Sequence, residues 1–284
     1  DQSAVIPCAG SSAALYVALR TILNEGDEIL MFEPTYRGHF AILNGLGVKQ
    51  NLVDLKRENA YHPDIDDIAA AITPKTKAVL VCNPNNPTGS ITDAKKLKDF
   101  CSRVSEKVPV FVDEAYIELS KNGIKDSMNS LVAEGKNVIV ARTFSKIHGM
   151  AGLRVGYIIG KKETLDTISE ITRGGMGITG PSIAAATTSL ENTDFLDMCK
   201  TKITAAREYT MAYLKENNYA YLPSETNFVI FEIPMEGKKF LKEIYGKKVA
   251  VRAFKFWDKN WCRVSIGTLD EMKTFTNAIS EIFA

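Results

Sequence analysis

Cysteine is sparse in this sequence and unpatterned: five residues, Cys8, Cys82, Cys101, Cys199 and Cys262, odd in number and never in C-x-x-C spacing. That distribution argues against a disulfide framework, offers no zinc-binding spacing, and fits a reducing cytoplasm. Long apolar runs are missing too. None approaches the roughly 20 residues a membrane helix needs, and no signal-peptide pattern is present. Nor is there an excess of either charge: Lys and Arg number 35 against 34 Asp and Glu, with signs alternating as in "KKLKDFCSRVSEK". No nucleic acid and no membrane is therefore expected as a partner, and a small molecule is the expected ligand. The phosphate loop G-x-x-x-x-G-K-[ST] does not occur, so a nucleotide-binding α/β module, the alternative from another functional class, lacks its usual phosphate grip. Internal repeats and low-complexity linkers are absent as well.

What is present is an ordinary globular composition, 45% hydrophobic and 24% charged over 284 residues, enough for one large domain and a smaller one. Short Val-, Ile- and Leu-rich runs recur at 28 ("EILMF"), 48 ("VKQNLV"), 77 ("KAVLVC"), 108 ("VPVFV"), 137 ("NVIVA") and 154 ("RVGYIIG"). Helical patterns separate most of them, which predicts an α/β domain with a largely parallel, buried sheet. Gly26 reads as the C-cap of the helix "SSAALYVALRTILNE", and Pro63 as the start of another with acids in its first turn. From about 190 a long helical pattern leads to "TNFVIFEI", "KKVAVRAF", "WCRVSIG" and a final helix, a smaller α+β unit. The expected division is 1–190 for the large domain and 191–284 for the small one.

Ligands of open α/β sheets bind outside the carboxyl ends of the strands, so the segments after each strand are where chemistry is to be sought. Five are informative. "CAGSSAALYVAL" puts Ser11 and Ser12 at the mouth of a helix, either as ordinary caps or where unpaired N–H groups and the helix dipole favour an anion. "VCNPNNPTG" is a rigid turn that aims the Asn86 amide over a strand end. "VPVFVDEAYIEL" ends a buried strand on Asp113, as a cap, an ion-pair partner or a partner for a cationic ligand atom, with Tyr116 close behind. "EPTYRGHF" offers Tyr36, a core ring or a stacking surface. "ARTFSKIHGMAGLRVGY" carries Ser145, Lys146 and Arg154. Lys146 is either a loop lysine with its stem on apolar neighbours or a desolvated amine of lowered pKa.

Together these segments ask for one ligand with an anionic head, a planar ring, a protonated ring nitrogen, a phenolic oxygen and an aldehyde. Pyridoxal phosphate meets that description, since its chemistry needs a lysine for the Schiff base and an acid for the pyridinium.

The ordered run "GSS", "PTY", "NPNNPTG", "VDEAY", "TFSKIHGMAGLRVGY" and "WCRVSIGT" resembles the class I/II pyridoxal-phosphate-dependent aminotransferases, and within them the histidinol-phosphate aminotransferase-like branch. The resemblance covers nearly the whole chain. It implies the aspartate-aminotransferase-like fold, a homodimer, and amino transfer between an L-amino acid and a 2-oxo acid by a ping-pong mechanism. It also implies roles. Lys146 would form the Schiff base and shuttle the proton, and Asp113 would pair with the pyridinium nitrogen. Asn86 and Tyr116 would hydrogen-bond the phenolic oxygen, with Tyr36 stacked on the ring. Ser11, Ser12, Thr143, Ser145 and Arg154 would hold the phosphate, while Arg263 would clamp the substrate carboxylate with Asn86 beside it.

Two differences from the family bear on substrate choice. Members carry an N-terminal segment that helps bind substrate and reaches across a dimer interface, whereas this sequence starts directly on the strand-like "AVIPCAG"; the expectation is a large domain without that segment, its substrate site more open to water. Residues 172–182, "TRGGMGITGPS", replace a loop containing proline and asparagine, so the substrate stays open among histidinol phosphate and aromatic or related amino acids. His148, where the family often has an aromatic residue, reads as a packed loop histidine. A decarboxylase of the same fold, similar to threonine-phosphate decarboxylase, remains the alternative chemistry.

Overall fold

A computed structural model describes residues 4–59, 64–172 and 177–283. In chain order these form β1 (Val5–Cys8), α1 (Ser11–Ile22), β2 (Glu28–Glu33), α2 (Arg37–Gly45), β3 (Lys49–Asp54), α3 (Ile65–Ala70), β4 (Thr76–Cys82), α4 (Ala94–Val104), β5 (Val110–Asp113), α5 (Asn129–Ala133), β6 (Val138–Thr143), β7 (Gly156–Ile159) and α6 (Lys162–Thr172). Then follow α7 (Gly180–Glu191), α8 (Thr193–Glu216), β8 (Tyr221–Leu222), β9 (Phe228–Glu232), α9 (Gly237–Gly246), β10 (Arg252–Phe256), β11 (Lys259–Ser265) and α10 (Leu269–Phe283).

The first seven strands make one sheet, in the order β1-β7-β6-β5-β4-β2-β3. β3, β2, β4, β5 and β6 run parallel, whereas β7 is antiparallel to both β6 and β1. The apolar runs are legible because helices cover both faces: β4, β5 and β6 are buried almost end to end, as parallel strands between helical layers must be. α1 buries Ala14, Leu15, Ala18 and Leu19, one stripe at helical spacing. Two clusters fill the two faces, one around Phe100 and Val112, the other around Leu15, Met31 and Phe111. Each such side chain contributes roughly 1.5–3 kcal/mol by leaving water.

The second sheet, β10-β11-β9-β8, is antiparallel. Helices α8, α9 and α10 pack on it around Phe231, Phe240 and Phe275.

Two local expectations differ. α1 ends at Ile22, where extended Leu23 turns its side chain into the core. Gly26 is therefore not the C-cap; it lies in the following turn, its N–H on Gly47 O, because burying Leu23 outweighs one more helical turn. α3 begins after Asp64, whose carboxylate accepts from the N–H groups of Asp66 and Asp67; Pro63 lies outside the described residues. Of the glycine-rich stretch, 173–176 lie outside them too. The sequence has G-x-G-x-x-G at 175–180, but the described element before it in the chain is helix α6, not a strand, so the context of a dinucleotide fingerprint is missing. No described helix is long and apolar enough to cross a membrane.

Candidate active site

Strand register brings the chemistry to one edge. Cys82 of β4 pairs with Asp113 of β5, and Asp113 with Ala141 of β6. Thr143 pairs with Gly156 of β7, and Gly156 with Cys8 of β1. The carboxyl ends of four strands and the start of α1 therefore meet, as ligand sites in open sheets require. Gly156 is needed for that meeting: a Cβ there would lie 2.5 Å from Arg142 O and 2.9 Å from Ser11 N.

A cleft with about 630 Å³ of empty space occupies this edge. Ser11 and Ser12 line one end with Thr143, Ser145 and Arg154; Tyr36, Asn86, Asp113, Tyr116 and Lys146 line the rest. All ten residues expected around the cofactor thus share one cavity, although they come from five separate segments.

The end formed by α1 is electropositive. No side chain caps this helix, so its first N–H groups and the dipole face the cleft. Arg154 lies against them, its Nη1 on Ala151 O at 2.8 Å and Ser145 Oγ at 3.4 Å, its Nη2 on Ala9 O at 3.4 Å. Thr143 Oγ1 donates to Ser145 Oγ at 2.9 Å. Gly10 makes room, since a Cβ there would sit 2.5 Å from Arg154 Nη2.

At the other end lies Asp113, buried at 4% exposure. Its Oδ1 accepts from Ala115 N at 3.2 Å, and its Oδ2 lies 3.0 Å from His39 Nε2. Glu114, the next residue, faces away from the site: Arg142 Nε, Ser127 Oγ and Met128 N all donate to it at 2.7–3.0 Å. Alternation along a strand separates the two acids, one toward ligand, one toward a buried ion pair.

Lys146 lies between the ends, its Nζ 4.8 Å from the centre of the Tyr116 ring. Burial pushes its ammonium below the ordinary lysine range, opposed by the Asp113 carboxylate and helped by Arg263. Burial pushes the Tyr116 phenol up. Its oxygen accepts from Asn86 Nδ2 at 3.2 Å, and Asn86 Oδ1 accepts from Arg263 Nη1 at 2.6 Å. The loop carrying Asn86 is stiffened by Thr88, which donates from both N and Oγ1 to Asn85 Oδ1, and by Glu225 N on Gly89 O.

Arg263 lies outside the first cleft, on a second with about 1530 Å³ of empty space that also touches Tyr36, Asn86, Tyr116 and Lys146. Its guanidinium carbon sits 4.8 Å from the Phe228 ring centre and 5.5 Å from that of Phe254. Its Nε is buried without a hydrogen-bond partner. Burial lowers its pKa. An orphaned guanidinium nitrogen beside a cleft is suited to an anion.

Sequence reading missed His39 and Cys82, which lines the first cleft beside Asp113. Thr35 and His39, four apart, meet at 3.3 Å, a spacing visible in "TYRGH". The partner that matters is 74 positions away, with no local signal. His148 packs on Phe144, ring centres 4.6 Å apart, and bonds Ser189 Oγ at 2.8 Å; it is a packed loop histidine. Among the described residues no group of His, Cys, Asp or Glu could hold a metal ion.

The family model for aminotransferase class I and II matches residues 1–279. Histidinol-phosphate aminotransferase from Moorella thermoacetica is 32% identical over 280 residues, covering 97% of this chain and 71% of that one. A candidate histidinol-phosphate aminotransferase from Erwinia carotovora atroseptica superposes with a TM-score of 0.91 at 28% identity, over 99% of this chain and 81% of that one. For histidinol-phosphate aminotransferase from Sinorhizobium meliloti, solved with pyridoxal 5'-phosphate, the TM-score is 0.83 at 24% identity, over 99% and 77%.

The residues present fit that cofactor. The uncapped α1 N-terminus facing Arg154 suits a phosphate, the amine of lowered pKa suits a Schiff base, and the carboxylate at the far end suits a protonated ring nitrogen. With the aspartate-aminotransferase-like fold, one cleft holding lysine, acid and anion cup, and a family match along nearly its whole length, the chain belongs to the class I and II aminotransferases and is a pyridoxal-phosphate-dependent transaminase.

Proposed function

We propose that the chain moves an amino group between a donor amine bearing an anionic group and a 2-oxo acid in a ping-pong cycle, with histidinol phosphate or an aromatic or related L-amino acid as donor. The observation that carries this is the bonded chain Arg263–Asn86–Tyr116, which joins the second cleft to the first beside Lys146. An anion held by Arg263 sets the donor's amine toward Lys146. The second cleft also presents Phe40, Phe254 and Phe256 together with Arg37, Arg252 and Lys255, which suits a flat or apolar side chain carrying negative charge. Histidinol phosphate, named in the relatives, has an amine, a ring and a phosphate.

When bound, pyridoxal phosphate supplies an electron sink for the bond broken at the amine-bearing carbon. Ser11, Ser12, Thr143, Ser145 and Arg154 would hold its phosphate. Tyr36 would stack on the ring, Asn86 and Tyr116 would hydrogen-bond the phenolic oxygen, and Asp113 would hold the proton on the ring nitrogen. Lys146 takes and returns the proton at the reacting carbon, for which an amine lowered toward neutrality is suited.

On this reading residues 1–190 bind cofactor and 191–284 form the smaller domain, each with its own sheet. Exposed Ile183, Leu190, Phe195 and Met198 support a homodimer, which sedimentation tests; the free cysteines favour the cytoplasm. A donor screen against 2-oxoglutarate tests the activity. A new amino acid from 2-oxoglutarate is expected; carbon dioxide without it would instead assign the decarboxylase.

A further inference from the structure

Arg154 is left-handed, with φ 49° and ψ 55°, a conformation unfavourable for any residue with a Cβ and kept only where the surroundings over-determine it. In that conformation its guanidinium reaches back to Ala9 O, Ser145 Oγ and Ala151 O.

The carbonyl that enters this residue is Leu153 O, and it accepts from Ser182 Oγ at 2.8 Å. Ser182, in the first turn of α7, is 2% exposed. Its proton is accounted for. Ser182 N donates to Thr179 Oγ1 at 3.3 Å, and the two hydroxyl oxygens are 2.9 Å apart. Because Ser182 gives its single hydroxyl proton to Leu153, Thr179 must give its own to Ser182. The contact is therefore directional and fully paired. Two turns along α7, Ser189 bonds His148, and between them Ala186 packs on Phe144 and Val155. α7 thus grips the segment carrying Lys146 and Arg154 near both ends.

The geometry points to Ser182 as a positioning residue for Arg154. Its hydroxyl fixes the Leu153 carbonyl, so the next residue stays left-handed and its guanidinium stays turned to the N-terminus of α1. The inference rests on the reading of Arg154 as a phosphate ligand.

Equilibrium binding of pyridoxal 5'-phosphate, and of pyridoxal, which lacks the phosphate, to the full chain tests both. Arg154→Ala is expected to abolish most of the preference for the phosphorylated form. Ser182→Ala lowers that preference about fivefold, the size of one net hydrogen bond, with pyridoxal affinity unchanged. The double variant loses no more than Arg154→Ala, as expected of a residue acting through another. Ser182→Thr, which keeps the hydroxyl, and Ser189→Ala, which cuts only the other contact, both retain the preference. If Arg154→Ala keeps the preference, the phosphate reading itself fails. If Arg154→Ala loses it while Ser182→Ala keeps it, weakens both ligands equally, or adds its loss in the double variant, the positioning role is overturned. Loss in Ser182→Thr or Ser189→Ala equal to that in Ser182→Ala overturns it as well.

Discussion

His39 Nε2 lies 3.0 Å from Asp113 Oδ2, and Thr35 Oγ1 lies 3.3 Å from the other ring nitrogen. Carboxylate oxygens accept, so Nε2 donates to Asp113, while the Thr35 hydroxyl meets Nδ1 from the other side. His39 is fully buried, and its ring meets Tyr36 edge-on at 5.4 Å. One histidine thus holds the acid at one end of the cofactor cleft and braces the ring expected to stack there.

His39→Phe keeps an aromatic ring and removes the donor. Turnover should fall on the order of 10- to 100-fold, the range seen when an outer-shell partner of an active group is lost, while cofactor still binds. kcat at saturating cofactor reads the first effect and absorbance titration the second. Thr35→Val, which removes the hydroxyl beside Nδ1 and leaves the Asp113 contact in place, should cost less. Equal rates in all three proteins would reduce the pair to packing.

Asp113→Asn should leave the cofactor bound and slow proton abstraction by about 100-fold or more, the scale for removing a charge aimed at where charge develops. Single-turnover kinetics separates that step from binding.

Lys146→Ala should abolish transamination and leave the circular dichroism spectrum unchanged, because the side chain lines a cleft and fills no part of the core. Turnover near the parent rate would sink its assignment.

A pH effect follows from the same lysine. Its pKa in the folded chain lies below the ordinary 10.5, so the unfolded chain binds more protons between the two values and stability rises with pH across that window. The penalty is fully present below the lowered pKa and gone above about 10.5. Lys146→Met should therefore raise the melting temperature of the cofactor-free protein at pH 7, with the gain shrinking as pH approaches 10.5. A gain independent of pH would show that charge is not its cause.

Arg263→Lys should raise KM for the amino donor more than it weakens cofactor binding, since a point charge replaces a planar fork that lies over Phe228 and Phe254 and reaches the cofactor cleft only through Asn86. Initial rates over a donor series measure it. A loss of cofactor affinity as large as the rise in KM would show that the side chain serves the first cleft instead.

Residue type and order alone determined the parallel strands, because buried parallel strands must be apolar on both faces, and the segments after them, because ligands gather at strand ends. Lys146, Asp113, Asn86, Tyr116 and Arg154 stand in those segments, but each segment taken singly admitted a local reading, such as a cap for Asp113 or a loop lysine for Lys146; only their order along the chain asked for one ligand. Tertiary structure decided what distance in sequence conceals. That Asp113 faces the cleft and Glu114 a buried arginine depends on how β5 is turned in the sheet. The antiparallel strands β7 and β1, which bring α1 to Thr143, follow from a pairing that no run of residues encodes by itself. His39, Ser182 and the orphaned Nε of Arg263 acquire meaning only from partners brought close by folding, since hydrogen bonds act over about 3 Å of space, whatever the length of chain between their ends.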